Sequence, residues 1–139
     1  MPGAAAGAGL SIALACDLRI ASDNAFVTTA FSNIGLSGDY GASWFLPRLI
    51  GLAKAKELFY LSDRVGAEDC SRLGIFNKVF SQDTFRAGAQ AYTPKLANGP
   101  TNAFGRMKIN LNQGLHQDLD ASLRLEAEHL IASMADPES

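Results

Sequence analysis

Ala4-Ala5-Ala6-Gly7-Ala8-Gly9-Leu10-Ser11-Ile12-Ala13-Leu14-Ala15-Cys16-Asp17-Leu18-Arg19-Ile20-Ala21 runs from a loop of small residues straight into an apolar helix and then a strand. Residues without bulk let a ligand come close to the backbone, and the first turn of a helix leaves N–H groups without intrahelical partners. Such donors suit an oxygen that gains negative charge during a reaction. The same composition also serves plain tight packing, so at this level both readings stand.

Working outward, the pattern predicts a short buried helix over Gly9–Cys16, a strand over Leu18–Ala21, a turn at Ser22-Asp23-Asn24 and a second strand over Ala25–Thr28. Residues 29–41 carry Gly35, Gly38 and Gly41 among polar Ser37 and Asp39, which reads as an irregular loop on a rigid scaffold. A helical turn follows over Trp44–Gly51. Leu52–Leu61 spaces Leu52, Ala55, Leu58 and Phe59 on one helical face. Ala67–Leu73 is a shorter helix stopped by Gly74, and Ile75–Phe80 an apolar strand. Gln82–Leu96 has helical spacing interrupted by Gly88 and Pro94. A helix beginning at Pro100 turns Phe104, Met107 and Leu111 inward, and a last one aligns Leu115, Leu119, Leu123, Leu130 and Met134. The order is therefore α/β units first and a three-helix tail after them, with a boundary expected between residues 1–80 and 81–139.

A length of 139 residues suits one compact domain with a real core, and 47% hydrophobic against 19% charged residues excludes a disordered chain. The net charge of -2, from 12 basic and 14 acidic side chains with no basic block, leaves no footprint for nucleic acid. Cys16 and Cys70 sit in apolar patterns and are expected as two buried, reduced thiols of a cytoplasmic protein. The first basic residue is Arg19, behind the apolar run, so that run is not read as a secretion signal. No stretch has the length of a membrane span.

Among the polar residues, Asp39 is the sharpest candidate for chemistry. It lies between Gly38 and Tyr40, with Phe31, Ile34, Leu36 and Trp44 nearby in sequence. Apolar surroundings disfavour the charged form of a carboxylate and suit it to carry a proton. The competing reading is an aspartate that hydrogen-bonds its own turn. Asp17 is expected to tie backbone donors. Ser11 has no histidine placed to activate it, so a nucleophilic role is not read there. His116 and His129 fall in the helical tail as surface or boundary residues, and Lys54 and Arg64 read as solvated charges. No set of His, Cys, Asp and Glu has the spacing of a metal site.

The string Gly3–Ser11 followed by Ala15-Cys16-Asp17-Leu18-Arg19-Ile20-Ala21 closely resembles the signature of the enoyl-CoA hydratase/isomerase (crotonase) superfamily. Gly35-Leu36-Ser37-Gly38-Asp39-Tyr40-Gly41-Ala42-Ser43-Trp44-Phe45-Leu46-Pro47-Arg48-Leu49-Ile50-Gly51 resembles the same family's second glycine loop. Ala53-Lys54-Ala55-Lys56-Glu57-Leu58, Ala67-Glu68-Asp69-Cys70 and Leu73-Gly74-Ile75-Phe76-Asn77-Lys78-Val79 extend the likeness, which covers residues 3 to 135 in order.

The resemblance implies a spiral of ββα turns, of which this chain looks like the C-terminal part, and trimeric or hexameric assembly. It implies acyl-CoA thioesters as substrates, with coenzyme A present only as part of the thioester and no other cofactor. Members hold a thioester enolate with backbone N–H groups, one of which falls on Ala8. Their hydratases carry two catalytic glutamates. Counting along the motifs places the first at Ser11 and the second at Phe31, neither of which transfers a proton as a carboxylate does. Asp39 stands where several acyl-CoA isomerases of the family carry a catalytic aspartate. The expected site thus has Asp39 and Ala8 in catalysis, with Gly7, Ser11, Ala30, Phe31, Ile34, Leu36 and Trp44 around the acyl group. The expected function is an enoyl-CoA isomerase or hydratase, the isomerase favoured. The alternative is a truncated, non-catalytic paralogue that binds acyl-CoA or a partner subunit.

Overall fold

The computed structural model describes residues 1–136. The chain divides into two compact units, Met1–Ala89 and Gln90–Ser139, and the division falls inside a helix rather than after residue 80. In the first unit come β1 (Ala5–Ala6), α1 (Ala8–Leu14), β2 (Ile20–Ser22), β3 (Phe26–Thr28), a 3-10 turn (Ser32–Ile34), α2 (Ala42–Ile50), α3 (Leu52–Leu61), β4 (Val65–Gly66), α4 (Ala67–Arg72) and β5 (Lys78–Phe80). Helix α5 (Phe85–Ala97) crosses the division, and α6 (Thr101–Gly114) and α7 (Leu119–Met134) follow. This is the mixed α/β architecture expected of a partial crotonase spiral.

Strand β1 pairs with β3 in parallel, Ala5 opposite Val27 and Ala6 opposite Thr28. A parallel pair needs a crossover, and α1 lies within it. On its other side β3 meets β4 antiparallel, with Val27 opposite Val65. A second parallel pair sets Ile20, Ala21 and Ser22 of β2 against Lys78, Val79 and Phe80 of β5. The core of this unit gathers Leu10 and Leu14 from α1, Val27, Leu46, Leu58, Cys70, Ile75 and Phe76, all buried. Leu10 and Leu14 lie four apart and share one face of α1, which is why so short a helix can be held by packing. Each such side chain contributes about 1.5–3 kcal/mol on burial.

Arg19 is the charged residue buried with this core among the described residues. Its Nε donates to Ile75 O at 2.6 Å, and its Nη1 donates to Cys16 O at 2.5 Å and Leu14 O at 3.5 Å. The backbone N–H of Arg19 donates to Asn77 Oδ1 at 2.7 Å, while Asn77 N–H donates to Arg19 O at 2.8 Å. One guanidinium thus closes the carbonyl end of α1 and ties it to the segment entering β5, where a positive charge also complements the helix dipole.

Several boundaries differ from the sequence expectation, each for a local reason. Helix α1 starts at Ala8 and stops at Leu14, so Cys16 lies beyond it and is exposed, whereas Cys70 is buried as expected. The strand after Gly74 shortens to Lys78–Phe80, because the N–H groups of Ile75 and Phe76 both turn back to donate to Cys70 O. Helix α5 begins at Phe85 and continues through Pro94. The last helix begins at Leu119 rather than Leu115, since the Asp118 carboxylate caps it by accepting from Ala121 N–H at 2.9 Å.

The second unit also corrects the expected inner faces. Phe104 is half-buried, but Met107 is 54% and Leu111 74% exposed. Leu115, Leu119, Leu123, Leu130 and Met134 are exposed as well. The seam between α6 and α7 is polar instead. Arg106 reaches Asp136 at 3.0 Å and donates to Ser133 Oγ at 3.2 Å, and His129 Nδ1 lies 2.5 Å from Asn110 Oδ1. Among the described residues no helix is long and apolar enough to cross a membrane.

Replacing Arg19 by Met leaves the carbonyls of Leu14, Cys16 and Ile75 without this donor and is expected to lower stability by about 2–3 kcal/mol in urea unfolding. The two thiols are expected to separate chemically. Burial, with the charge of Asp69 second, pushes the Cys70 thiol up from its ordinary 9.0 to about 12. At pH 8 a thiol reagent should therefore modify Cys16 quickly and Cys70 only on unfolding. In the unfolded chain Cys70 ionises near 9.0 and in the folded chain near 12, so its contribution to stability is constant below pH 9 and declines as pH rises through that interval.

Candidate functional site

Gly7 makes the turn that starts the site. Its φ of 50° and ψ of -124° lie where a side chain is strained, and its N–H donates to Thr28 O at 3.1 Å, continuing the β1–β3 ladder by one bond. The next residue, Ala8, opens α1, so its N–H has no acceptor within the helix. On the other side of the same peptide, Gly7 O accepts from Ser11 N–H at 3.1 Å and from Ser11 Oγ at 3.2 Å. Ser11 is fully buried, so its hydroxyl fastens this peptide instead of lining a pocket.

The second arm is the loop that carries Asp39. It begins at Ala30, half-buried and held left-handed at φ 59°, and continues into Phe31, whose carbonyl accepts from Ile34 N–H at 3.2 Å and Leu36 N–H at 3.0 Å. Tyr40 is also left-handed, with φ 45°. Non-glycine residues persist there only when their surroundings over-determine the backbone. The turn around Asp39 is closed by its main chain, its carbonyl accepting from Ala42 N–H at 3.1 Å. Asp39 itself is exposed, and among the described residues none donates to or pairs with its carboxylate. An aspartate occupied with its own turn would not look like this.

Phe31 joins the two arms. A Cβ on Gly7 would stand 3.8 Å from Phe31 Cε1, and a Cβ on Gly38 would stand 3.9 Å from Phe31 Cδ2 and 3.1 Å from Phe59 Cε1. The ring is buried and stacks on Phe59 with centroids 6.0 Å apart and planes 17° off parallel. Phe59 lies on α3, whose end is fixed by hydroxyls. Ser62, left-handed at φ 52°, bonds through Oγ to Thr29 Oγ1 at 3.0 Å and receives a bond from Ser32 Oγ at 2.7 Å. Thr28 Oγ1 donates to Ser62 O and Thr29 Oγ1 to Leu58 O, both at 2.7 Å. Thr28 and Thr29 lie three and two positions before Phe31 and Ser32 follows it directly, so one knot secures both members of the stack.

The remaining expected site residues lie further out. Ile34 is 71%, Leu36 58% and Trp44 45% exposed, and Arg48 covers the Trp44 ring at 3.2 Å while donating to Trp44 O at 2.9 Å. Lys54 pairs with Glu57 at 2.6 Å on the surface, and Arg64 sits 4.5 Å over Phe26. Among the described residues no three His, Cys, Asp or Glu side chains gather as a metal site would require. Sequence reasoning missed Arg19, Phe59, Thr29 and Ser62. The adjacent threonines at 28 and 29 were the available signal, because hydroxyls at the end of a buried strand need acceptors from another element.

The whole length of this arrangement matches one known family, since the family model for enoyl-CoA hydratase/isomerase aligns with residues 1–138. The chain belongs to the enoyl-CoA hydratase/isomerase family. It is 40% identical over 125 residues to a protein of Rhodobacter capsulatus named probable enoyl-CoA hydratase, covering 90% of this chain and 49% of that one. It is 37% identical over 127 residues to the 1,2-epoxyphenylacetyl-CoA isomerase of Escherichia coli K12, covering 91% and 48%. A crystal structure of a protein from Thermobifida fusca in complex with acetoacetyl-CoA superposes with a TM-score of 0.91 at 30% identity, covering 96% of this chain and 52% of the other. The chain spans about half the length of the curated relatives it matches.

Within the enoyl-CoA hydratase/isomerase family, the Gly7–Ala8 turn and the Asp39 loop are the two motifs that carried the resemblance, and here one phenylalanine packs against both. Gly7→Ala is expected to lower stability by about 1–3 kcal/mol, because alanine resists the positive φ even though space is available for its methyl group. Thermal unfolding beside Gly9→Ala, a helical position where nothing lies within 4 Å of the added carbon, isolates that cost.

Proposed function

We propose that this chain carries the enolate-forming site of an acyl-CoA isomerase, with Asp39 moving the proton and Ala8 N–H holding the thioester oxygen. The observation that supports it is the Asp39 carboxylate, unpaired among the described residues, on a loop that Phe31 links to the turn presenting Ala8 N–H. In this reading Asp39 takes a hydrogen from the carbon next to the thioester carbonyl as H⁺. The electron pair moves onto the carbonyl oxygen, which accepts from Ala8 N–H. The proton then returns to another carbon, so no atom is gained or lost. A single carboxylate suffices for that sequence, whereas adding water across a double bond calls for a second group to handle the water. Ser11 and Phe31, at the positions of the family's hydratase glutamates, favour isomerisation over hydration.

The Thermobifida fusca complex with acetoacetyl-CoA supports a CoA thioester as the ligand. In this reading the CoA belongs to the substrate, Gly7, Ala30, Ile34, Leu36 and Trp44 border the acyl group, and the protein works in the cytoplasm as a trimer or hexamer. A second reading, binding of acyl-CoA without turnover, draws on the openness of Ile34 and Leu36.

Exchange of the α-hydrogens of phenylacetyl-CoA for deuterium, followed by proton NMR in D2O, separates the two. Asp39→Asn is expected to slow exchange by about 10²–10⁴-fold while thioester affinity changes less than about threefold. Exchange that survives the substitution removes Asp39 from the chemistry. Binding with no exchange by the unsubstituted chain establishes the second reading.

A further inference from the structure

We infer that Phe31 is the positioning residue that sets the separation between the oxygen-holding turn and the proton-moving loop. This rests on the function proposed above and adds a role for a side chain that stands where a hydratase has an acid. Phe31 Cε1 faces Gly7, the residue before Ala8, and Phe31 Cδ2 faces Gly38, the residue before Asp39. Both neighbours are glycines with positive φ, 50° and 117°, so neither contributes a side chain to the gap. Phe31 is within 4 Å of an added carbon at both glycines, with Thr29 O nearer at Gly7 and the Phe59 ring nearer at Gly38, so it is the ring the two segments share.

The ring's own position is over-determined. Phe59 backs it in a near-parallel stack, and the Ser62 hydroxyl ties the end of α3 to Thr29 and Ser32. The peptide entering Phe31 comes from a left-handed alanine, and Phe31 O accepts from the N–H groups of Ile34 and Leu36 at the start of the Asp39 loop. A flat, rigid side chain held from behind and bonded at its main chain acts as a spacer. Phe59 holds Gly38 from its nearer side, and a narrower residue 31 would remove the ring shared with Gly7 and let the Gly38–Asp39 segment shift on Phe59. A displacement near an ångström is worth about 10²-fold in rate when two groups must address one substrate.

The test is the phenylacetyl-CoA exchange reaction with Phe31→Leu, made both in the unsubstituted chain and in Asp39→Asn. Acting through Asp39, the leucine should lower the exchange rate at saturating thioester about 100-fold in the first background and less than about twofold on the residual rate of the second, with Kd for the thioester held within about threefold in both. Phe31→Met, which keeps length without branching, should recover part of the rate, and it also serves if the leucine variant loses its helical circular dichroism. An equal loss in both backgrounds, or no loss in the first, overturns the positioning role and leaves the proposed function intact. An Asp39→Asn variant that exchanges as fast as the unsubstituted chain overturns the proposed function, and this inference with it.

Discussion

The parallel register of β1 on β3 governs the placement of everything that follows. With Ala6 opposite Thr28, the next residue on one strand is Gly7 and the residues that follow on the other are Thr29, Ala30 and Phe31. The Gly7 N–H bond to Thr28 O extends that ladder into the turn. A parallel pair cannot slip by one residue without turning its buried side chains outward, and Ala5 and Val27 are both buried. Two stretches more than twenty residues apart in sequence are thereby held as neighbours.

Holding them has a cost, visible as three left-handed residues that are not glycine: Ala30, Tyr40 and Ser62. Each is unfavourable by about 1–3 kcal/mol in isolation. The offset is local. Ser62 is fixed by hydroxyls from β3 and the turn after it, Ala30 lies between buried Thr29 and buried Phe31, and Tyr40 sits in a turn closed by Asp39 O and Ala42 N–H. The strain is concentrated around the candidate site and absent from the α6–α7 hairpin among the described residues.

In the second unit the chemistry is inverted relative to a simple amphipathic pair. Arg106, Asn110, His129, Ser133 and Asp136 meet across the α6–α7 seam, and the leucine stripe faces outward. An exposed apolar surface on both helices is unfavourable in water.

The family, the α/β class and the approximate elements were legible in the sequence because they depend on local pattern. Small residues mark the Gly7–Ala8 turn, glycines mark the Asp39 loop, and the spacing of Leu52, Ala55 and Leu58 marks α3. Asp39 was legible as a candidate for the same reason, since an acid among glycines and apolar residues is unusual in itself. What the sequence could not say was which face each residue would present and what it would meet. Ser11 and Phe31 were expected around the acyl group and are both buried, Ser11 with its hydroxyl bonded to Gly7 O and Phe31 with its ring stacked on Phe59. The tail leucines looked like an inner face and proved to be exposed, and Arg19 looked like an ordinary strand residue but joins α1 to the entry of β5. Those outcomes rest on hydrogen bonds and ring contacts between residues such as 19 and 75, 29 and 62, or 31 and 59. Periodicity reports only on neighbours a few residues apart, so the elements follow from the sequence, while the packing that brings Gly7 and Gly38 near opposite edges of one phenylalanine is decided only when the chain has folded.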